Sequence, residues 1–186
     1  FLGNRVGVYS MQVAMTEAIK MSLSIEEADA VFGRPMGIPK TGVFALYDLI
    51  GIDLMADVLA SFKKELPDND EFQKVIEGTP IIKKLIESGY TGRKGKGGFY
   101  RINKSNNKKV LEALNLGKNE YFPTKKIDLR IDKVNLVELI NRNDKYGKYA
   151  WSVISKIILY ASSLVPQITE EYNDIDEALR LGFNWY

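Results

Sequence analysis

Residues 4–21 read NRVGVYSMQVAMTEAIKM, and the fold turns on how this stretch is placed. Apolar side chains at Val6, Val8, Val13, Ala14, Ala18, Ile19 and Met21, with Tyr9, Met11 and Met15 among them, are too many for one stripe of a surface helix. A helix that is apolar nearly all round is an enclosed one. The stretch is therefore predicted to be a central helix. Gly7, Ala14 and Ala18 give its neighbours room to approach closely. Such a helix needs partners from everything that follows.

The chain has 186 residues, enough for one domain or two small ones sharing an interface. Hydrophobic residues make up 45% and charged residues 27%, a balance typical of globular chains. A net charge of +2 creates no overall field that would draw nucleic acid or an anionic membrane. No apolar run approaches the roughly 18 residues of a membrane span. With no cysteine, disulfides and thiolate metal sites are excluded, which is compatible with a reducing compartment; the expected location is cytoplasmic. With no histidine, this chain alone encodes no imidazole base, no Ser–His triad and no His-ligated zinc. The opening FLGNR has neither an initiator Met nor a signal-peptide layout, so the chain is expected to be part of a longer polypeptide.

Outward from the first helix, Ser24-Ile25-Glu26-Glu27 is a capping box opening a short helix to about residue 31. The Gly- and Pro-dense run 33–42 is a loop. Residues 43–50 return to helix and stop at Gly51. Asp53 is placed to cap a helix reaching residue 66, ended by Pro67-Asp68-Asn69-Asp70. Thr79-Pro80 is a cap and first-turn proline, and Gly89 is a C-cap glycine, bracketing a helix over 81–88. From Gly97 the pattern shifts to short extended segments at 99–102, 110–116 and 120–122, the second of which reads equally as a helical turn. The polar run 103–109 is an exposed turn. Helix resumes at about 133–141 and at 146–165, the latter again apolar nearly all round and halted by Pro166. A short helix at 174–181 ends at Gly182.

A long buried helix, a polar link, a short helix with an acidic start and a glycine thus occur twice. The predicted fold is mainly α: two repeated helical units with a small β-hairpin excursion between them. Residues 1–102 form the first unit, 103–132 a connecting segment and 133–186 a second, truncated unit.

Candidate chemistry is sparse. Asn4 opens the central helix, where position alone favours a cap over a donor into a cleft. Arg5 reads as an interhelix ion-pair partner. Gly92-Arg93-Lys94-Gly95-Lys96-Gly97-Gly98 is rich in glycines and cations, yet it lacks the P-loop spacing and does not join a strand to a helix as a dinucleotide fingerprint does. A tight turn with solvated lysines is the simpler reading. Asp48 and Asp53 flank a helix break, and Asp29, Asp174 and Asp176 fall where helix dipoles account for them. No internal constellation forms an active site, a metal site or a cofactor site.

Three ordered motifs carry a resemblance. Phe1-Leu2-Gly3-Asn4-Arg5-Val6 resembles the G-F-x-x-N-R-[LV] start of the C-terminal domain of L-3-hydroxyacyl-CoA dehydrogenases. The run from Gly42-Val43-Phe44 through Tyr47-Asp48-Leu49-Ile50-Gly51 to Asp53 resembles that family's G-P-F-x-L-x-D-L-I-G-x-D. Gly92-Arg93-Lys94-Gly95-Lys96-Gly97-Gly98-Phe99-Tyr100 is similar to its G-x-K-x-G-K-G-F-Y. The chain departs in having Val43 for the usual proline and an extra residue between Pro39 and Phe44.

The resemblance is to the kind of domain found in bacterial fusions with enoyl-CoA hydratase in fatty-acid β-oxidation. It implies a 6-phosphogluconate-dehydrogenase C-terminal-like helical fold, an acyl-CoA substrate and a possible homodimer. It also implies NAD bound by an N-terminal nucleotide-binding domain of the same polypeptide and not by this chain. Asn4 would then be the catalytic contribution, positioning the reacting oxygen and an imidazole from that domain, which reverses the capping preference. The isolated chain is expected to be inactive. The competing expectation is a non-catalytic helical interaction or scaffold domain; nucleic-acid binding by the lysine turn is a weaker third.

Overall fold

A computed structural model describes residues 2–76, 80–104, 108–130 and 135–186. Helix α1, Leu2–Lys20, is the enclosed element that its composition demands: Val6, Val13, Ala14, Met15 and Ala18 are all at most 1% exposed. It packs against α2 (Ile25–Val31), α3 (Val43–Ile50), α5 (Glu71–Ile76), α8 (Lys145–Ser163) and α9 (Tyr172–Phe183). Burying a helix on all sides also buries its polar groups, each of which must find a partner. Ser10 donates to the carbonyl of Val6 (2.6 Å), and Gln12 Oε1 accepts from the Tyr47 hydroxyl (2.8 Å). Tyr149 of α8 donates to the carbonyl of Ala14 (2.9 Å). Glu17 accepts from Ser152 (2.6 Å) and pairs with Lys156, both on α8. Burial alone would raise the Glu17 pKa; the bonds from Lys156 and Ser152 outweigh it and hold the carboxyl below its ordinary value.

The remaining elements surround this axis. The capping box forms as read, with Ser24 Oγ accepting from Glu27 N (3.2 Å) and Glu27 Oε2 from Ser24 N (3.0 Å). A 3₁₀ turn, Arg34–Met36, leads to α3, whose C-cap is Gly51 at φ +112°. Helix α4, Ile52–Glu65, packs on α3, α5 and α6 (Pro80–Glu87). Gly89, at φ +76°, closes α6 in the left-handed conformation expected of it. The small β excursion forms where the three extended segments were read, as a three-stranded antiparallel meander: β1 (Tyr100–Asn103), β2 (Val110–Asn115) and β3 (Glu120–Pro123) in that order. The open choice over 110–116 is thereby resolved as strand. Helix α7, Leu136–Ile140, precedes α8, which Asp144 caps through Tyr146 N and Gly147 N, both at 3.0 Å.

Several local readings need correction. Helix α5 was not expected; at six residues it is too short for a periodic signal, and it starts because Asp70 accepts from Phe72 N (2.8 Å). Asp53 does not cap α4: the cap is Gly51, and Asp53 lies in the first turn, paired with Lys94 (2.9 Å). Gly182 does not end α9, which continues to Phe183 and closes at Asn184, φ +53°. Helix α8 is not enclosed, since Trp151 is 57% exposed and Leu159 70%; its partners α1, α2 and α7 lie on its opposite side. The Thr79 cap, part of the 103–109 turn and the predicted helix start near 133 lie outside the described residues.

At Gly7 the α1–α9 contact has no slack. A Cβ there would sit 2.2 Å from the Phe183 ring. Gly7→Leu is expected to lower stability by about 1–3 kcal/mol in urea unfolding. In the Phe183→Ala background the same substitution should cost less, because the ring it strikes is gone.

Candidate functional site

Two places in the fold hold the residues that the sequence reading brought forward. The first is the opening turn of α1. Because α1 begins at Leu2, Asn4 is inside the helix and is not its cap. Its side chain is exposed, and among the described residues its amide has no hydrogen-bond partner. The turn that carries it is tied down on two sides. Arg5 Nε donates to the Tyr160 hydroxyl of α8 (2.8 Å), and the guanidinium forms an ion pair with Asp70 at the head of α5. This is the interhelix role read from the sequence. Tyr160 stacks on Tyr9 with ring centres 3.9 Å apart, and Phe72 meets both rings edge-on. On the other side, Gly3 lies against Ala178 of α9. The backbone under Asn4 is thus fixed by α5, α8 and α9 while its amide faces out.

The second place is the glycine turn at 92–98 with the two aspartates beneath it. Asp48, on α3, accepts from Phe99 N (2.8 Å) through one oxygen and from Tyr100 N (2.7 Å) through the other. Its own carbonyl accepts from Arg93 N (2.8 Å). The glycines make this clamp possible: a Cβ on Gly98 would lie 2.0 Å from Asp48 Oδ1, and one on Gly92 2.4 Å from the Asp48 carbonyl. Gly92 N bonds to Gly97 O (2.8 Å), Gly95 N to Gly92 O (3.0 Å) and Gly98 N to Tyr100 O (2.8 Å). With the amides of Gly92, Arg93, Gly95 and Gly98 paired within the fold, the turn lacks the continuous run of free N–H groups of a P-loop. The glycine motif joins α3 to the meander.

Asp29 plays the matching part from α2. It sits near the end of α2, not in an opening turn where the dipole would account for it. Instead it caps the neighbouring helix α3, accepting from Phe44 N (2.7 Å) and Ala45 N (3.1 Å), and it also accepts from the Tyr100 hydroxyl (2.9 Å). A tertiary cap of this kind leaves no local sequence signal, because donor and acceptor are separated by a loop. Burial dominates the titration of both carboxyls. It outweighs the hydrogen bonds that favour the charged form and pushes Asp29 up to about 7 and Asp48 to about 6. Asp174 and Asp176 stay apart from this cluster on α9. Among the described residues, no group of three or more carboxylates is placed to hold a metal ion.

Above the clamp lies a cleft of about 1030 Å³, bounded by α2, α3, the glycine turn and the outer face of β1 and β2. Asn4 does not line it. The sequence reading brought Asp29, Asp48 and the glycine turn forward separately; the structure joins them and sets Asn4 apart.

With this geometry in place, the family model described as 3-hydroxyacyl-CoA dehydrogenase, C-terminal domain, matches residues 1–102, and the chain belongs to that family. It is 38% identical over 186 residues to a Rickettsia prowazekii (strain Madrid E) protein named as a fatty acid oxidation complex trifunctional enzyme, covering 100% of this chain and 26% of that protein. The similarly named protein of Rickettsia felis is 40% identical over 185 residues, covering 100% of this chain and 25% of that protein. A Bacillus subtilis (strain 168) protein named as a 3-hydroxyacyl-CoA dehydrogenase is 28% identical over 193 residues, covering 100% and 24%. The chain spans about a quarter of the length of these relatives. No solved structure matches significantly.

The two raised carboxyls give the fold a pH dependence of definite sign. Both folded pKa values exceed the unfolded value near 3.8, so the stability they contribute is complete below about pH 4 and is lost as pH rises through about 6 and 7. Urea unfolding between pH 4.5 and 8 should show this decline. Asp29→Asn should flatten it, at the cost of a lower maximum, because Asn cannot accept all three bonds.

Proposed function

We propose that this chain is the substrate-cleft part of an NAD-dependent L-3-hydroxyacyl-CoA dehydrogenase. The parent enzyme oxidises the C3 alcohol of an acyl-CoA to the 3-oxo thioester by hydride transfer to NAD, as a step of fatty-acid oxidation. The observation that carries the reading is Asn4. Its amide is exposed, with no hydrogen-bond partner among the described residues, on a turn held by the Arg5–Asp70 pair, Tyr160 and the α9 contact. An amide on so rigid a support can orient a reacting oxygen and a catalytic imidazole supplied from outside this chain, and orientation of this kind is worth about 10²-fold or more in rate.

The imidazole must come from outside this chain, which has no histidine. NAD is assigned to the same outside source, a nucleotide-binding domain of the same polypeptide. The residues described do not fit a dinucleotide: the sheet is an antiparallel meander, and the amides of Gly92, Arg93, Gly95 and Gly98 in the glycine turn are already paired. A cytoplasmic location belongs to the same reading.

The two-unit organisation is part of the proposal. The family match ends at residue 102, where the first unit was expected to end. Gly7, Tyr9 and Val13 of α1 recur at one constant spacing as Gly147, Tyr149 and Val153 of α8, and all six are buried. The packing is also reciprocal, α1 on α9 and α8 on α2. Pairing of the two units within one chain favours a monomer over a homodimer, which light scattering measures.

Two measurements test the assignment. The 186-residue chain should show no dehydrogenase turnover and no saturable NAD binding by calorimetry; saturation by NAD would overturn the division of labour. In the full-length enzyme, Asn4→Ala should lower kcat about 10²-fold with unfolding midpoint and NAD affinity unchanged. A variant with wild-type kcat would remove Asn4 from the reaction.

A further inference from the structure

We propose that the second half of the chain sets the direction of the Asn4 amide, with Tyr160 of α8 as the positioning residue. This rests on the role proposed for Asn4 and adds to it the part that holds its angle. An α-helix is weakest at its opening turn, where the first four N–H groups have no partner within the helix. In α1 those groups belong to Leu2, Gly3, Asn4 and Arg5. Whatever fixes the Asn4 amide has therefore to come from side chains and neighbouring elements.

Two contacts supply it, and they bracket Asn4 in the sequence. On one flank, a Cβ on Gly3 would lie 3.2 Å from the carbonyl oxygen of Ala178, so α9 lies directly against the backbone. On the other flank, Arg5 donates through Nε to the Tyr160 hydroxyl (2.8 Å), while its guanidinium also pairs with Asp70. A single bond would leave the guanidinium free to turn about it. Two bonds, to acceptors on separate elements, fix its plane. Ala178 and Tyr160 both belong to the second half, beyond the family match that ends at residue 102.

The surroundings of Tyr160 suit an immobile hydroxyl. The residue is 2% exposed, its ring lies 3.9 Å from that of Tyr9 with the planes 18° apart, and Phe72 meets it edge-on at 6.0 Å. A ring held on two sides does not swing to follow Arg5, so Arg5 is held to it. Asp70 is the less specific anchor, because its other oxygen starts α5 by accepting from Phe72 N (2.8 Å). Tyr160→Phe removes one oxygen and keeps the stack, whereas loss of the Asp70 carboxylate would also uncap α5.

A double-mutant cycle in the full-length enzyme tests the proposal. Tyr160→Phe should lower kcat about tenfold with KM for the acyl-CoA and affinity for NAD unchanged, since the anchor acts on orientation and not on binding. In the Asn4→Ala background it should lower kcat no further, because the group it steers is gone. Tyr149→Phe is the control: it removes another buried tyrosine hydroxyl that reaches α1 from α8, at Ala14, and should leave kcat unchanged. Gly3→Ala loads the opposite flank without taking away a bond, and is expected to lower kcat severalfold at an undiminished urea midpoint. Hydrogen exchange on the 186-residue chain gives a readout apart from activity. The amides of Val6, Gly7 and Val8, which bond back to the first turn, should exchange about tenfold faster in Tyr160→Phe and not in Tyr149→Phe. The proposal is overturned if Asn4→Ala lowers kcat and Tyr160→Phe does not, if the two losses multiply, if Tyr149→Phe lowers kcat as much, or if exchange at the first turn is unchanged. A wild-type kcat in Asn4→Ala removes the reading of Asn4 itself, and this proposal falls with it; the exchange rates tell that case from a failure of the anchor alone.

Discussion

The whole structure depends on a helix with no free side. Once α1 is enclosed, each polar group it carries has to be answered by a neighbour, and those answers fix where the neighbours lie. Gln12 calls for the Tyr47 hydroxyl and so sets α3; Glu17 calls for Lys156 and Ser152 and so sets α8. Its small residues act in the same direction, since Gly7 admits the Phe183 ring and Gly3 admits Ala178. A buried polar group without a partner costs about 1–3 kcal/mol, so a shift of either helix would be resisted by more than lost apolar contact. The hydrogen bonds add little net stability each, but they make one arrangement of the helices much better than its alternatives.

A second constraint operates at the far end of α3. Asp29 holds the start of this helix and Asp48 holds the meander to its other end, with Tyr100 touching both: its hydroxyl donates to Asp29 and its amide to Asp48. The glycines at 92 and 98 are required because Asp48 lies where their side chains would be. A motif that looks like a phosphate loop is therefore a joint between helix and sheet. The distinction is visible in the amides of Gly92, Arg93, Gly95 and Gly98, which are bonded within the fold.

These particulars explain what the sequence could and could not disclose. The capping box, the Gly51 and Gly89 stops and the enclosed character of α1 were legible because each depends on residues within a few positions of one another. The anchoring role of Asp48 was half legible: the break at Gly51 was plain, but its partner lies some fifty positions downstream. Asp29 was misassigned to its own helix because a cap delivered across a loop has no local spacing. Helix α8 shows the opposite failure. Its composition resembles that of α1, yet Trp151 and Leu159 face outward, since composition fixes how much apolar surface a helix offers and not how much of it is met.

The placement of Asn4 follows from the same economy of contacts. Most of the polar groups on α1 are turned inward and satisfied, so an amide left outward at its first turn is conspicuous. Arg5, its neighbour, is the reverse: it is consumed by Asp70 and Tyr160, and through them it ties the first turn to a helix from each half of the chain. The turn is therefore stiff although it lies at the edge of the fold, and the part of it that faces outward is uncommitted. The role proposed for Asn4, orienting a reacting group, would need both properties together. Stiffness without an open face would make only a core residue, and an open face without stiffness could not hold an angle. The second half of the chain thus bears on the opening turn of the first through Tyr160.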